Sequence, residues 1–268
     1  MTTRHARRRA SLAAAAGLLA IAGCGPRALT LPSGDGEPFP DYQAAYEQAS
    51  AGCRQARTLT AEISVSGRVG PQKLRGRILA GFERPASLRL EGVAPFGPPA
   101  FILTASSAGA TLLLPRDPAV LTGEPAEAIL GALVGLELTP VQLQSILAGC
   151  GAPWAEPAGG RSFTGGWARV DLGAGAAAYL KSEAGRWRIL AAMTPPLRVE
   201  YGGWQGGRPG AIHLLLEEGR APADLHLRVS QVEVNVALDP TAFNVRVPPG
   251  AVRITLEELR QAGPLGHR

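Results

Sequence analysis

Histidine, cysteine and aromatic residues are scarce in this 268-residue chain. It has four histidines, three cysteines and 5% aromatic residues, and outside the first 23 residues its histidines are His213, His226 and His267. Two of these lie in predicted strands and one in the tail. The chain lacks a Gly-x-Ser-x-Gly elbow, a His-Glu-x-x-His helix and clustered metal ligands, which are the signatures of common hydrolases and zinc sites. We therefore expect no catalytic residue, no metal and no cofactor, and a binding protein rather than an enzyme.

An excess of charge of one sign is also missing once the amino terminus is set aside. The whole chain has 27 basic and 22 acidic residues, but four of its arginines lie within the first nine residues. The remainder is therefore almost neutral. It has no basic stripe interleaved with aromatic residues, so we expect no nucleic-acid partner.

The first 24 residues have the layout of a lipoprotein signal peptide. A cluster of arginines precedes a weakly apolar stretch, 10–22, which is too short for a stable transmembrane span. The segment Ile21-Ala22-Gly23-Cys24 resembles the bacterial lipobox, in which the cysteine is acylated and the chain is cut before it. We predict a signal peptide over 1–23 and lipid attachment at Cys24. An ordinary signal peptide with an incidental cysteine, or an uncleaved anchor, is the alternative.

The rest of the chain is predicted to be a tether followed by one domain. Residues 24–39 are rich in glycine and proline and predict a flexible tether. No later stretch has the composition of a linker, so we expect a single domain over 40–262 and a tail over 263–268. The expected state is a monomer.

Cys53 and Cys150 are the two cysteines that remain after Cys24. An even pair in an exported protein favours a disulfide. Such a bond would close a loop of about 97 residues and contribute about 4 to 5 kcal/mol. Two buried free thiols are the alternative.

Most of the domain alternates apolar and polar residues with a period of two. Ile63 and Val65, for example, alternate with Glu62 and Ser64, which predicts a strand with one apolar face. Short connections between the first five strands favour an antiparallel meander. The ten or eleven predicted strands lie at 59–68, 73–82, 87–91, 100–105, 111–114, 167–172, 176–181, 186–193, 197–204, 211–216 and 223–237.

Two short apolar helices interrupt this β pattern. One is predicted over 124–134, and the next has Thr139 as N-cap, Pro140 at its first position and Gly149 at its end. Further helices are predicted over 41–50 and after Thr255. A mainly β, antiparallel, half-open barrel with short helices over its opening encloses a lidded hydrophobic cavity. A dry core requires the same apolar faces, so the pattern alone leaves both possibilities open.

Three segments of the chain resemble the LolB family of outer-membrane lipoprotein receptors, in the family's order. They are Val93-Ala94-Pro95-Phe96-Gly97, the stretch 131–153 and the Tyr-Gly-Gly-aromatic hairpin at 199–204, within a resemblance that covers roughly 55–240. The resemblance implies a LolA/LolB-type half-open barrel that holds acyl chains. It also implies that the protein accepts lipoproteins from a LolA-like periplasmic carrier and releases them into the outer membrane.

The resemblance also suggests which residues act. Pro95, Phe96 and Gly97 match the family's membrane-insertion loop; the alternative is that the ring of Phe96 folds back onto a strand. The apolar faces of the strands and lid helices predict the lining of the acyl cavity. The predicted lining residues are Ile63, Val65, Leu74, Ile78, Phe82, Leu88, Leu90, Phe101, Leu103, Ile129, Leu130, Leu133, Leu143, Ile146 and Leu147.

The carboxyl-terminal part departs from the receptor pattern. Residues 239–250 contain a Phe-x-x-x-x-Pro-x-Gly segment that is more similar to LolA-type and mycobacterial lipid-carrier lipoproteins. The cargo can therefore be another lipid, such as a glycolipid or phospholipid, or the protein can be a structural lipoprotein with a filled barrel. Gly25 follows Cys24, where an aspartate would signal inner-membrane retention in enteric bacteria. We expect an outer-membrane, lipid-anchored protein whose domain faces the periplasm.

Overall fold

The computed structural model of this protein describes residues 29–153, 155–217 and 222–262. The predicted signal peptide, the lipid-attachment site Cys24 and the tail 263–268 lie outside the described residues. Within them the chain forms one sheet of fifteen strands and four α-helices. The strands are β1 (Glu37–Pro38), β2 (Thr58–Val69), β3 (Gln72–Glu83), β4 (Ser87–Val93), β5 (Ile102–Ser106), β6 (Gly109–Leu114), β7 (Ala119–Thr122), β8 (Gly159–Phe163), β9 (Trp167–Asp171), β10 (Ala177–Glu183), β11 (Arg186–Thr194), β12 (Leu197–Gly202), β13 (Ala211–Leu216), β14 (Ala223–Val234) and β15 (Val252–Arg253). The α-helices are α1 (Tyr42–Arg54), α2 (Ala126–Val134), α3 (Pro140–Ala148) and α4 (Leu256–Gln261).

The sheet consists of two antiparallel meanders that lie side by side. Strands β2 to β7 form one and β8 to β14 the other, and β14 pairs with β2 to join them. The connection between the meanders carries α2 and α3. Strand β1 extends one end of the sheet and β15 the other, so the sheet is not closed. The predicted mainly β, half-open barrel with short helices is confirmed.

The strand count in the described part of the chain exceeds the predicted ten or eleven. The additional strands are β1, β7, β8 and β15. Strand β8 begins with two glycines, so it has no side-chain alternation there and pairs with β9 through its backbone. The other three are two to four residues long, too short to show a period.

The described part of the predicted tether is held against the domain. The N–H group of Leu29 donates to Oε2 of Glu200 over 2.9 Å, and β1 pairs with β8. The ring of Phe39 lies 5.5 Å from that of Trp187. Residues 29–39 thus have specific partners on the sheet, whereas their composition predicted a flexible spacer.

Local signals account for the ends of the lid helices. The Thr139 hydroxyl accepts from the N–H of Gln142 over 3.2 Å, and the Gln142 side chain accepts from the N–H of Thr139 over 2.9 Å, so α3 begins with a complete capping box. Gly135 and Gly149 end α2 and α3 with φ values of 74° and 96°, a left-handed conformation that glycine adopts without strain. The two helices are therefore short and well bounded.

A covalent bond ties α3 to α1. Cys53 in the last turn of α1 is disulfide-bonded to Cys150, two residues after α3, with their Cα atoms 5.7 Å apart. The predicted disulfide is confirmed. Because α1 packs against β11, the bond attaches the carboxyl end of α3 to the second meander.

Candidate functional site

An apolar cavity of about 320 Å³ lies between the sheet and the helices α2 and α3. The inner faces of β2, β3, β4, β13 and β14 form one wall, and α2, α3 and the loop between them form the other. Because successive residues of a strand point to opposite faces, the period of two in the sequence places aliphatic side chains on this wall. The cavity is suited to an apolar ligand.

Eleven of the fifteen residues predicted to line a cavity line this one. They are Ile63, Val65, Leu74, Ile78, Phe82, Leu90, Phe101, Leu130, Leu133, Leu143 and Leu147. The remaining four, Leu88, Leu103, Ile129 and Ile146, are fully buried and pack in the surrounding core instead. The strand alternation identifies the inner face of the sheet, but it does not show which part of that face the helices cover.

Several wall residues were not identified from the sequence. The strands β13 and β14 contribute Leu214, Leu225 and Leu227, and the loop between α2 and α3 contributes Leu136 and Leu138. The three strand residues had a readable signal, since they occupy apolar positions of predicted strands. Their place in the cavity depends on the pairing of β14 with β2, which brings the end of the chain beside its beginning.

Three exposed arginines, Arg75, Arg77 and Arg116, contribute to the lining of the cavity. Arg77 lies 3.4 Å from the carboxylate of Glu62. Arg75 and Arg77 alternate with the inner-face residues Leu74, Gly76 and Ile78, so their side chains point to the outer face of the sheet. Arg116 is therefore the arginine that lies beside the cavity opening.

Phe96 lies on the exposed loop 94–99, beside this opening. Its side chain is 88% exposed, so the ring does not fold back onto a strand. Arg116 holds the backbone of the loop, because its guanidinium donates to the carbonyl oxygens of Phe96 and Pro98 over 2.9 and 3.4 Å. Pro95 lines the cavity, and Gly97 has a φ of 76°. The loop therefore presents an aromatic ring to solvent at the cavity mouth; insertion of this ring into a membrane stays a prediction.

Buried polar contacts fix α3 in place. The Tyr201 hydroxyl donates to the carbonyl oxygen of Ile146 over 2.9 Å, and the side-chain amide of Gln144 donates to the carbonyl of Arg57 over 3.1 Å. Burial raises the pKa of Tyr201 far above its usual value, so its hydroxyl stays protonated and able to donate. Together with the disulfide, these contacts attach α3 to both meanders.

A second cluster of functional groups lies on the outer face of the sheet. His213 of β13 and His226 of β14 are cross-strand partners whose rings stack 4.1 Å apart, and Asp224 contacts both. Burial, and then the charge of His213, lower the pKa of His226. We expected no clustered metal ligands, but the structure brings these three together. Both strands that carry these residues were predicted; the register that joins the strands was not.

The described residues include no helix long and apolar enough to cross a membrane.

Comparison with known proteins shows similarity at the level of fold. No protein-family model and no curated protein sequence matches the chain. A DUF1329 family protein from Desulfovibrio piger superposes with a TM-score of 0.51 and 11% identity, covering 78% of this chain and 98% of that one. A putative outer membrane lipoprotein-sorting protein domain from Vibrio parahaemolyticus has a TM-score of 0.47 and 9% identity, covering 76% of this chain and 97% of its own. A LolA superfamily protein from Nitrosomonas europaea has a TM-score of 0.48 and 9% identity, covering 75% and 96%.

Proposed function

We propose that this protein is a membrane-anchored lipoprotein that binds acyl chains in the cavity beneath α2 and α3, without catalysis. The observation that carries the proposal is the composition of the cavity, whose lining is apolar except for three arginines. A cavity of this kind removes the apolar surface of a ligand from water, which is energetically favourable.

The energetic reason for such a cavity is the cost of exposing an acyl chain. A 16-carbon chain that crosses water loses about 12 kcal/mol, at about 0.8 kcal/mol per CH₂ group. Transfer from one protein cavity to another avoids most of this cost. Only the difference in affinity between donor and acceptor then has to drive the transfer.

The size of the cavity suggests that the lid adjusts. A volume of about 320 Å³ is at the lower end of the range of ligand pockets, roughly 300–1,000 Å³. We infer that a long acyl chain displaces part of the lid. Because α3 is attached by the disulfide and by Tyr201, α2 and the loop between the helices are the parts expected to move.

The finer proposal is a receptor that accepts lipoproteins from a LolA-like periplasmic carrier and inserts them into the outer membrane. The exposed Phe96 ring supports a membrane contact next to the cavity mouth. Anchoring through Cys24 would hold the domain at the delivery membrane, facing the periplasm. An acyl chain could then pass from the cavity to the bilayer over a short distance.

A second candidate function is the transport of an anionic lipid. Arg116 beside the opening favours it, because guanidinium groups bind phosphate through charge-assisted hydrogen bonds. The same cavity would hold the acyl chains while Arg116 contacts the headgroup. The two candidates share the acyl-binding step and differ in the cargo.

The acyl-binding step can be tested by two matched glycine substitutions in β3. Gly76 lies on the inner face beside Leu74 and Ile78 and lines the cavity, whereas Gly81 alternates to the outer face. A Cβ atom at either position would meet nothing within 4 Å, and neither glycine has a positive φ. Leucine should therefore be tolerated at both positions but should enter the cavity only at position 76.

The measurement is the affinity for a fluorescent fatty acid, in a full-length Cys24→Ala chain that lacks the predicted acylation site. We expect Gly76→Leu to weaken binding at least tenfold and Gly81→Leu to leave it unchanged. Equal affinity of the two variants would place the ligand outside this cavity. No uptake by the unsubstituted cavity would refute acyl binding.

A further inference from the structure

The spacing of three side chains on the outer face fits the ligands of a metal ion. Nε2 of His213 and Nε2 of His226 lie 2.8 and 3.3 Å from Oδ1 of Asp224. All three ligand atoms lie within 4.8 Å of one another. Ligands about 2.0–2.1 Å from a tetrahedral Zn²⁺ are about 3.3 Å from one another. The cluster is thus close to the spacing that such an ion requires.

The ligands lie on adjacent strands in the interior of the sheet. His213 is on β13, and Asp224 and His226 are on β14 with one residue between them, so all three side chains point to the outer face. Strand β13 pairs with β12 as well as β14, and β14 pairs with β2. Because both strands have partners on each side, the ligands have a fixed frame.

A buried carboxylate orients one of the histidines. Glu200 of β12 is the cross-strand partner of His213, and its Oε2 lies 3.2 Å from Nδ1 of that ring. Its side chain is 6% exposed and also forms an ion pair with Arg198. With Nδ1 donating its proton to Glu200, a metal ion would replace the Nε2 proton that otherwise bridges to Asp224 over 2.8 Å. Metal-binding histidines are commonly held by such a carboxylate.

Charged groups of both signs surround the cluster. The two imidazole rings are stacked with an angle of 14° between their planes, and two protonated rings in this contact would repel each other. Glu200 and Asp224 provide two negative charges beside the pair, while Arg198 is paired with Glu200 and Arg68 is the cross-strand partner of Asp224. Asp224 is 59% exposed, so an ion can enter from solvent.

From this geometry we propose that His213, Asp224 and His226 bind a divalent transition-metal ion of the Zn²⁺ type, with Glu200 as a positioning residue. Two imidazoles and one carboxylate are ligands that Zn²⁺ uses in proteins, and solvent or an anion would occupy the fourth position. The site is on the opposite face of the sheet from the apolar cavity. It does not depend on acyl binding.

The test is a calorimetric titration of Zn²⁺ into the untagged full-length chain. A Cys24→Ser background removes the remaining thiol, since Cys53 and Cys150 are bonded to each other. We expect one Zn²⁺ per chain, and at least tenfold weaker binding in each of His213→Gln, Asp224→Asn and His226→Gln. Glu200→Gln should weaken binding about 10- to 100-fold although Glu200 is not a ligand.

Glu233→Gln is the matched control, because it removes an exposed carboxylate from the same strand away from the cluster. It should bind Zn²⁺ as the parent chain does. Because Asp224 is largely exposed, the Asp224→Asn variant should still fold. Zn²⁺ should raise the Tm of the parent chain and of Glu233→Gln but should not raise the Tm of Asp224→Asn. Failure of the parent chain to bind Zn²⁺, or binding by all three ligand variants that is as tight as binding by the parent, would overturn the proposal.

Discussion

Loss of the disulfide between Cys53 and Cys150 should destabilise the whole domain. The bond closes a loop of 97 residues and joins the last turn of α1 to the segment after α3. Loop-closure entropy in the unfolded chain gives about 4.7 kcal/mol for a loop of this length, within a usual range of about 2–5 kcal/mol. This is a large part of the free energy of unfolding of a typical domain, about 5–15 kcal/mol.

The assay is urea unfolding of three variants in a Cys24→Ala background: Cys53→Ala, Cys150→Ala and the double substitution. Either single substitution already removes the bond. We therefore expect each to lower the free energy of unfolding by about 2–5 kcal/mol, and the double variant to lose about as much as either single one. Such non-additivity is the sign of a shared interaction.

Reduction of the parent chain by dithiothreitol provides an independent control. It should lower the free energy of unfolding towards that of the double variant. The reasoning would be refuted if the two single losses added up in the double variant, or if the double variant stayed within about 1 kcal/mol of the oxidised parent.

Three further predictions concern the cavity and its surroundings. Phe96→Glu should leave the Tm unchanged, because the ring is 88% exposed, but should reduce binding to phospholipid vesicles in a flotation assay; unchanged binding would rule out its membrane role. Leu103→Ala should lower the free energy of unfolding by about 2–5 kcal/mol, because Leu103 is fully buried in the core. Leu143→Ala should lower the free energy of unfolding by less, because Leu143 is a half-buried residue of the cavity wall. Equal decreases in the two variants would mean that the wall is as tightly packed as the core. Burial raises the pKa of Tyr46 and Tyr201, so above about pH 10 these hydroxyls remain protonated in the folded state while the unfolded chain loses protons. The free energy of unfolding should therefore be constant just below about pH 10 and fall above it. No fall above that pH would contradict the burial of these side chains.

The sequence predicts most of the fold because one face of a strand is buried and the other is exposed to solvent, so apolar and polar residues tend to follow a period of two. Strand β13 was predicted with the bounds it has, Ala211–Leu216, since it is a short apolar run that follows the turn residues 202–210. Strand β8 was missed because Gly159 and Gly160 have no side chains to alternate. Thr139 and Pro140 located the start of α3 through local hydrogen bonding, which does not depend on the rest of the fold.

The candidate sites were harder to predict because they depend on contacts between distant segments. Leu103 and Ile146 have the same apolar character as the wall residues, and only the packing of the lid helices separates core from cavity. His213 and His226 are 13 positions apart in the chain. Their contact follows from the antiparallel register of β13 and β14, which places His213 opposite His226. A prediction that these two strands form a hairpin in this register would have identified the contact.

The most direct test of acyl binding is the lipid content of the protein as it is isolated. The full-length chain would be extracted from membranes in mild detergent and measured by native mass spectrometry, in parent, Gly76→Leu and Gly81→Leu forms. A non-covalent acyl ligand, released on denaturation and distinct from the covalent anchor, is expected on the parent and on Gly81→Leu and should be reduced on Gly76→Leu. Absence of such a ligand from the parent chain, or equal amounts on all three, would contradict the assignment of this cavity as the acyl-binding site.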